Sequence, residues 1–215
     1  MQNIKNFNAG SIGEMDRRFR ANLINSVSGY KPANLVGTLS EDGITNLAIF
    51  SSVVHLGSDP ALLGLIVRPA GEVPRHTYEN IRTTGVYTIN HVHEHLVERA
   101  HWTSAKFGRT VSEFEKCGLT EEFIDGFRAP FVGESEIKIG LQLVEEIPIN
   151  LNKTILIIGE VKHIIIPEAI LLDNGSVDLN GVKDAAISGL DTYHRVEKIN
   201  TFPYAKPIDL PEFTT

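Results

Sequence analysis

Apolar and polar positions form their clearest pattern in the first half of the chain, between residues 34 and 90. Asn34 to Leu39 predicts a strand, residues 40–43 form a turn that ends in glycine, and Ile44 to Phe50 predicts the returning strand of a hairpin. Ala61 to Val67 is apolar at both sets of alternating positions, which predicts a third strand buried on both faces. This segment is therefore expected to form the centre of a β-rich core.

A helix is predicted between the third strand and the next one. It begins at about Pro74 and runs to about Thr84, and Gly85 ends it, since glycine readily adopts the left-handed conformation that closes a helix. Val86 to Asn90 then predicts another strand. The polar side chains around these strands lie on connections, where binding sites are usually built.

The second half of the chain predicts longer strands. Residues 136–143 alternate between apolar and other side chains, and residues 154–164 are too many for one flat strand. Gly159 is therefore expected to mark a bulge or a sharp bend. Between these strands and the first half, helices are predicted over residues 93–104 and 111–117, and irregular or partly helical structure over residues 120–130.

About six strands with short turns and few, peripheral helices favour a mainly β fold, a closed antiparallel barrel, over a βαβ sheet. The 215 residues, 42% of them hydrophobic, can bury one substantial core, so residues 1–215 are expected to form a single domain. An N-terminal helix from Met15 to Asn25 carries an apolar stripe that should pack on the barrel or on a partner. The proline-containing tail from Thr201 to Thr215 is expected to be extended.

Composition and charge narrow the classes of function. No run approaches the roughly 20 apolar residues of a membrane span, and residues 1–10 are polar, so a cytoplasmic protein without membrane association is expected. The formal net charge of -7 disfavours nucleic acid and anionic membranes, because the field of the protein would repel polyanions. The single cysteine, Cys117, excludes an intrachain disulfide and a cysteine-rich zinc site, so redox chemistry would need a bound cofactor.

A candidate anion site combines Ser51 and Ser52 with Arg75 and Thr77. A phosphate monoester is bound by hydroxyls, by a bidentate guanidinium and by the free N–H groups at the start of a helix. The alternative is purely structural: the serines end a strand, Thr77 helps to cap a helix, and Arg75 is solvated. The residue types alone favour this structural alternative.

Several motifs, in their order and spacing, resemble the flavin reductase-like family with the FMN-binding split barrel, in particular its flavoredoxin-type branch. The likeness extends from about Lys31 to Tyr193. The motifs are Asn34-Leu35-Val36-Gly37-Thr38-Leu39 with its Asp42-Gly43 turn, Asn46-x-Ala48-x-Phe50-Ser51-Ser52, Asp59-Pro60, Arg75-His76-Thr77-Tyr78, Tyr87-Thr88-Ile89-Asn90, Val111-Ser112-Glu113-Phe114 and Gly189-Leu190-Asp191-Thr192-Tyr193.

The resemblance implies an FMN site. The strand from Asn46 to Phe50 would run along the edge of the isoalloxazine ring, with backbone groups as hydrogen-bond partners, and the phosphate would lie among hydroxyls and a guanidinium. The chain departs from the family's pattern at Ile49, where proline is frequent, and at Arg75-His76, where lysine-aspartate is frequent. The implied FMN-binding residues are Asn46, Ala48, Ile49, Phe50, Ser51, Ser52, Arg75 and Thr77.

The resemblance also implies a homodimeric oxidoreductase that takes hydride from NADH or NADPH and passes reducing equivalents to free flavin, oxygen or a partner protein. A first alternative is a flavoredoxin-like FMN electron carrier without nicotinamide activity. A second is a barrel that binds another small anion and has no redox role.

Other residues allow further hypotheses. His91, His93 and His95 would share one face of an extended segment, as metal ligands can, with His101 nearby, although a turn from strand to helix would scatter them. The hypothesis of surface histidines is preferred, and no metal site is predicted. The remaining candidates for contact with a flavin or a nicotinamide are Tyr193, His194 and Trp102. The favoured alternatives are core packing for Tyr193 and Trp102 and a solvated side chain for His194, and Cys117 is expected to be an inert, partly buried thiol.

Overall fold

Twelve β-strands and five α-helices make up the part of the chain that a computed structural model describes, residues 3–69 and 74–212. The strands are β1 (Lys31–Pro32), β2 (Asn34–Leu39), β3 (Thr45–Phe50), β4 (Val53–Ser58), β5 (Ala61–Val67), β6 (Val86–His91), β7 (Glu121–Ile124), β8 (Phe127–Val132), β9 (Lys138–Ile149), β10 (Thr154–Ile165), β11 (Ala185–Ser188) and β12 (Thr192–Arg195). The helices are α1 (Ala9–Glu14), α2 (Arg17–Val27), α3 (His76–Thr84), α4 (Val97–Trp102) and α5 (Glu113–Cys117), with 3₁₀ turns at Glu94–Leu96, Glu168–Ile170 and Pro207–Asp209.

Seven antiparallel strands form the main sheet, in the order β3-β2-β6-β9-β10-β5-β4. β3 and β4 are therefore its two edges, although only Ser51 and Ser52 separate them along the chain. Strands β1, β11 and β12 form a second sheet, and β7 pairs with β8. The prediction of a mainly β fold with helices is confirmed. Within the described ranges no ladder pairs β3 with β4, so the closure of the barrel stays a prediction.

β2 is buried on both faces because its alternating side chains enter two different hydrophobic cores. Val36 packs in one cluster with Ile81 of α3 and Tyr87 of β6. Leu35 points to the opposite face and packs in a second cluster, which includes Phe114 of α5. The sheet thus has a helix against each face near β2 and β3.

Three glycines adopt the roles that the sequence predicts. Gly43 ends the β2–β3 turn with φ 79°, and Gly85 caps α3 with φ 73°. Gly159 lies at a shift in register between β9 and β10, where a bulge is expected. A Cβ atom at Gly159 would lie 2.2 Å from the hydroxyl oxygen of Tyr87, so the core leaves room for glycine alone.

The prediction of irregular structure for residues 120–130 is wrong, because β7 and β8 form a hairpin there. Its turn contains Asp125-Gly126, with Gly126 at φ 79°. An aspartate-glycine pair between apolar runs is a strong hairpin signal, but the charged residues in the two short strands obscure the apolar pattern around it. Short strands, β1, β4, β11 and β12 among them, also raise the number of strands above the expected six.

β5 is not buried on both faces as its composition predicts. Ala61 is exposed and Leu62 is half-buried, since β5 lies next to the edge strand β4 and its outer face has no covering element in the described chain. On the same outer face, Val54 and Leu56 of β4 are 44% and 42% exposed. The apolar outer side of β5 therefore belongs to an exposed sheet surface.

The helices differ from their predicted extents by a few residues. The predicted helix over 93–104 divides into a 3₁₀ turn and α4, and the N-terminal helix starts at Arg17 because the Asp16 carboxylate accepts hydrogen bonds from the N–H groups of Arg18 and Phe19. Neither α1 nor α2 contains a buried residue within the described ranges, so packing of the N-terminal helix on the barrel is not found there, and packing on a partner stays a prediction. Residues 201–212 are exposed, and no described helix is long and apolar enough to cross a membrane.

Candidate functional site

The edge strand β3 is divided into two halves that differ in burial. Thr45 to Leu47 are buried, whereas Ala48 to Phe50 are only partly buried. α5 lies against the first half, where the Glu113 carboxylate accepts a hydrogen bond of 2.9 Å from the N–H group of Leu47. The second half has no such cover among the described residues.

The bond from Leu47 to Glu113 fixes which backbone groups of β3 point away from the sheet. In an antiparallel pair, residues that face the partner strand alternate with residues that face outward. Ala48 lies opposite Val36 of β2 and exchanges ladder bonds with it, so Leu47 and Ile49 face outward. The N–H and C=O groups of Ile49 thus line the open part of the edge.

One end of this open edge is closed by a buried polar network. The Asn46 amide donates hydrogen bonds to the hydroxyl oxygens of Thr77 (3.1 Å) and Thr38 (3.3 Å). The Asn80 amide donates to the same Thr38 oxygen at 3.1 Å. These bonds join the start of α3 to β2 and β3, so the Asn46 and Thr77 side chains hold the scaffold together at this end.

The other end of the open edge is closed by Ser52. Its hydroxyl donates a 2.8 Å hydrogen bond to the carbonyl of Ile66, near the end of β5. The Arg75 guanidinium donates from Nε to the carbonyl of Pro69, at 3.4 Å, just beyond the same end of β5. The structure therefore brings Ser52 and Arg75 to one end of β5, while Thr77 bonds to Asn46 instead. Ser51 is partly exposed and makes no hydrogen bond through its side chain within the described ranges.

The start of α3 offers positive charge next to this edge. Arg75 is its N-cap residue, and its side chain makes no capping hydrogen bond to the first N–H groups of the helix in the described part of the chain. A helix of nine residues directs those N–H groups and the positive end of its dipole outward. Together with the Arg75 guanidinium they form a suitable environment for an anion.

Glu113 is the most deeply buried carboxylate beside the edge, with 5% of its surface exposed. Burial raises its pKa above the ordinary value, and this outweighs the Leu47 N–H bond and the nearby His76, both of which lower it. Burial, with a contribution from the Glu113 charge, also raises the pKa of the Cys117 thiol. A raised pKa makes Cys117 a poor nucleophile, in agreement with the expected inert thiol.

The prediction of surface histidines is wrong for His93, which is fully buried, because Asp184 pairs with it and with His91. The Asp184 carboxylate lies 2.5 Å from Nδ1 of His91 and 2.8 Å from Nδ1 of the buried His93. Nε2 of His93 accepts a 2.8 Å hydrogen bond from the N–H group of Glu136. Burial alone would raise the pKa of Asp184, but the two histidines lower it below its ordinary value. In the described parts of the chain no three potential ligands gather around a metal position, and these contacts join β6 to the segment before β11.

The side chains of His101, Trp102 and Tyr193 form an aromatic cluster next to the hydrophobic core that contains Leu35 and Phe114. Nδ1 of His101 is 3.1 Å from the Tyr193 hydroxyl, and burial raises the pKa of Tyr193 to about 12. The Trp102 ring is 61% exposed and meets His101 edge to face. The packing expected for Trp102 is therefore limited to one side, and His194 hydrogen-bonds to Ser188 at 2.7 Å.

Comparison with known proteins decides the family. Residues 30–179 match the family model described as the flavin reductase like domain. The chain belongs to the flavin reductase-like family. This confirms the family resemblance seen in the sequence motifs, and the motif residues map onto β2, β3, α3, β6 and α5.

Two solved structures and one relative illustrate what this chain is similar to. A Shewanella frigidimarina protein assigned as a flavin reductase with a split barrel domain is 46% identical, with TM-score 0.89, over 94% of this chain and 100% of that one. Flavoredoxin of Desulfovibrio vulgaris is 25% identical, with TM-score 0.71, over 82% and 92%. An uncharacterized protein of Aquifex aeolicus is 30% identical over 69% of this chain and 75% of its own.

Sequence reasoning singled out β3 but missed Glu113 as part of its surroundings. The residue was noted only as a member of a family motif, since nothing in the sequence shows that a carboxylate 66 positions away will accept from the Leu47 N–H group. A glutamate at the start of a short amphipathic helix is ordinarily read as a favourable charge near the helix dipole. The burial of Glu113 depends on how α5 packs against β3, which the sequence pattern does not show.

Proposed function

We propose that this flavin reductase-like protein is a homodimeric, cytoplasmic FMN oxidoreductase that takes hydride from NADH or NADPH. It passes the reducing equivalents to free flavin, oxygen or a partner protein. The observation that supports this proposal most is the open outer edge of β3, bounded by Leu47 at one end and Ser52 at the other. FMN supplies the hydride chemistry when bound, and the chain binds and orients it.

The donor set at the edge fits the ring of FMN. Five residue steps from Leu47 to Ser52 span roughly 17 Å of extended backbone, enough for a planar three-ring heterocycle. The outward N–H and C=O groups of Ile49 supply one donor and one acceptor to such a ring. Among the residues assigned to FMN, Ile49 is thus the one whose backbone is proposed to bond to the ring, because the backbone groups of Asn46, Ala48 and Phe50 face β2. Closure of the split barrel would place β4 on the other side.

The donor set also fits a phosphate. Arg75 can rotate its terminal nitrogens toward an anion because, among the residues that the structure describes, its guanidinium donates only from Nε, in a long 3.4 Å bond to the Pro69 carbonyl. The Ser51 hydroxyl is available, the Ser52 oxygen can still accept or share its proton, and the Thr77 N–H lies in the first turn of α3. We propose that these four residues hold the phosphate, with Thr77 contributing its backbone N–H group since its oxygen already accepts from Asn46.

The homodimer is supported by the exposed apolar surface on the outside of the sheet. The side chains of Val54 and Leu156 meet over Gly64: a Cβ atom at Gly64 would lie 2.9 Å from Val54 and 3.0 Å from Leu156. These side chains therefore form one surface across β4, β5 and β10. Leu56 and Ile147 extend it, at 42% and 41% exposure. A second copy would cover this surface. Sedimentation should give a dimer for the wild type and a monomer for Leu56→Lys.

A flavoredoxin-like electron carrier without nicotinamide activity remains the second candidate, because flavoredoxin of Desulfovibrio vulgaris is among the similar structures. An absorbance spectrum of the purified protein with FMN, before and after anaerobic addition of NADH or NADPH, separates the candidates. Bleaching of bound flavin supports the reductase, and a yellow protein inert to both nicotinamides supports the carrier. A protein that FMN neither colours nor stabilises would contradict both.

A further inference from the structure

The Glu113 carboxylate accepts a hydrogen bond from the Leu47 N–H group, the last outward-facing N–H group before the open part of β3. This bond is 2.9 Å long, and the next outward group is that of Ile49, two residues along, which is roughly 7 Å away in an extended strand. The proposed function assigns Ile49 to the ring of FMN and gives Glu113 no task. Yet a buried carboxylate is costly unless its hydrogen bonds or its charge serve the fold or the site.

We infer that Glu113 is a positioning residue for the flavin: it blocks the Leu47 position on the edge and makes reduction of the bound ring harder by its negative charge. This inference rests on the proposed function. Blocking the Leu47 N–H group leaves Ile49 as the first outward donor, which fixes the register of a heterocycle along β3. A negative charge near the ring disfavours the reduced flavin, which is itself more negative than the oxidised one.

The surroundings of Glu113 make its charge effective. It is 5% exposed, so solvent screens it weakly. The titratable groups near it are His76 at the start of α3 and Cys117 on α5. Glu121 of β7 lies next to Thr45, two residues before Leu47 on β3, and accepts a hydrogen bond from the Thr45 hydroxyl. Burial raises the pKa of Glu113 above its ordinary value.

The test is the midpoint potential of FMN bound to the full-length protein, measured by spectroelectrochemistry against pH. Glu113→Gln keeps an oxygen that can accept from Leu47 and removes the charge. Glu121→Gln is the matched control, since it removes the same charge from an exposed glutamate of β7 that also accepts a hydrogen bond from β3. Above the pKa of Glu113, the potential of the Glu113→Gln variant should be more positive, with affinity for reduced relative to oxidised FMN raised about tenfold.

The curves of Glu113→Gln and wild type should converge as pH falls and Glu113 takes up its proton, while Glu121→Gln should follow the wild type throughout. Equal potentials for Glu113→Gln and wild type at every pH would overturn the inference, as would an equal shift in Glu121→Gln. Should Glu113→Gln fail to fold, Glu113→Ala takes its place with the same expected shift and the same Glu121→Gln control. Failure of the wild type to bind FMN would instead overturn the proposed function.

Discussion

The two halves of β3 are neighbours in sequence but differ in what their outer edge does. From Thr45 to Leu47 the edge is covered by α5. The Thr45 hydroxyl donates to Glu121, the Asn46 amide to Thr77 and the Leu47 N–H group to Glu113. From Ala48 to Ser52 the edge is open. The comparison teaches that one strand can be covered along one half of its outer edge and open along the other, with the outward N–H group of Leu47 at the border.

The largest effect is expected from proline substitutions at two neighbouring residues, Ala48 and Ile49, whose N–H groups point in opposite directions. Ala48→Pro removes a ladder bond to β2 and should lower the free energy of unfolding by about 3 kcal/mol or more. Ile49→Pro removes an outward N–H group that β2 does not use, so the ladder survives. Urea unfolding of both variants tests this orientation.

For Ile49→Pro, the lost donor should weaken FMN binding by about 1 kcal/mol, measured by fluorescence titration. Equal loss of stability in the two proline variants would show that the orientation of β3 is assigned wrongly.

Arg75→Ala is expected to act on the ligand and hardly on the fold. Removal of a charge-assisted contact to the phosphate should weaken FMN affinity by at least about 1.5 kcal/mol, while the free energy of unfolding without FMN changes little because its Pro69 contact is long. Isothermal titration gives the affinity. Arg82→Ala, on the exposed side of the same helix, is the control. An unchanged dissociation constant would mean that the phosphate lies elsewhere.

The two serines that follow β3 should differ. Ser51→Ala removes a free hydroxyl and should cost about 1 kcal/mol of FMN affinity with no loss of stability. Ser52→Ala also removes the bond to Ile66 at the end of β5, so it should lower both affinity and the free energy of unfolding, the latter by about 1 kcal/mol. Thermal unfolding with and without FMN measures both. A destabilised Ser51→Ala would contradict the assignment of its hydroxyl to the ligand.

The smallest effect is a contrast in pH dependence between two buried carboxylates. The pKa of Glu113 is raised in the fold, so its charge destabilises increasingly as pH rises above 4.5, and Glu113→Gln should gain stability relative to wild type in that direction. The pKa of Asp184 is lowered, so its stabilisation is complete above 3.8 and is lost as pH falls below it.

Asp184→Asn should therefore be less stable than wild type at neutral pH, with a difference that shrinks in acid. Urea unfolding across the acid range measures both slopes. The same sign of slope for the two variants would contradict the account of their surroundings.

Sequence reasoning predicted the parts of the fold that local chemistry determines. The β2–β3 hairpin, the left-handed end of α3 at Gly85 and the bulge at Gly159 each depend on a glycine or on strict alternation. It did not predict the β7–β8 hairpin, whose strands are short and carry charged residues. Nor could it predict that the outer face of β5 would stay exposed, since that depends on which strand ends the sheet.

For the candidate site, sequence reasoning singled out β3 and the residues after it, but it did not predict which of these side chains bond to one another within the scaffold. Thr77 and Asn46 were both assigned to the cofactor, and the structure bonds their side chains to each other at 3.1 Å. The contact is set by the packing of α3 on β3, which joins residues 31 positions apart. The outward orientation of Ile49 likewise follows from the register of β2 and β3.

The central claim is that the outward backbone groups of β3 beyond Leu47 bind the ring of FMN. Amide hydrogen exchange of the labelled protein, with and without FMN, tests it most directly at Ile49 and Ala48. We expect the Ile49 amide to exchange fast in the free protein and to become protected on addition of FMN, while the ladder-bonded Ala48 amide is protected in both states. An Ile49 amide that FMN leaves unchanged, while the protein is saturated with it, would contradict the claim.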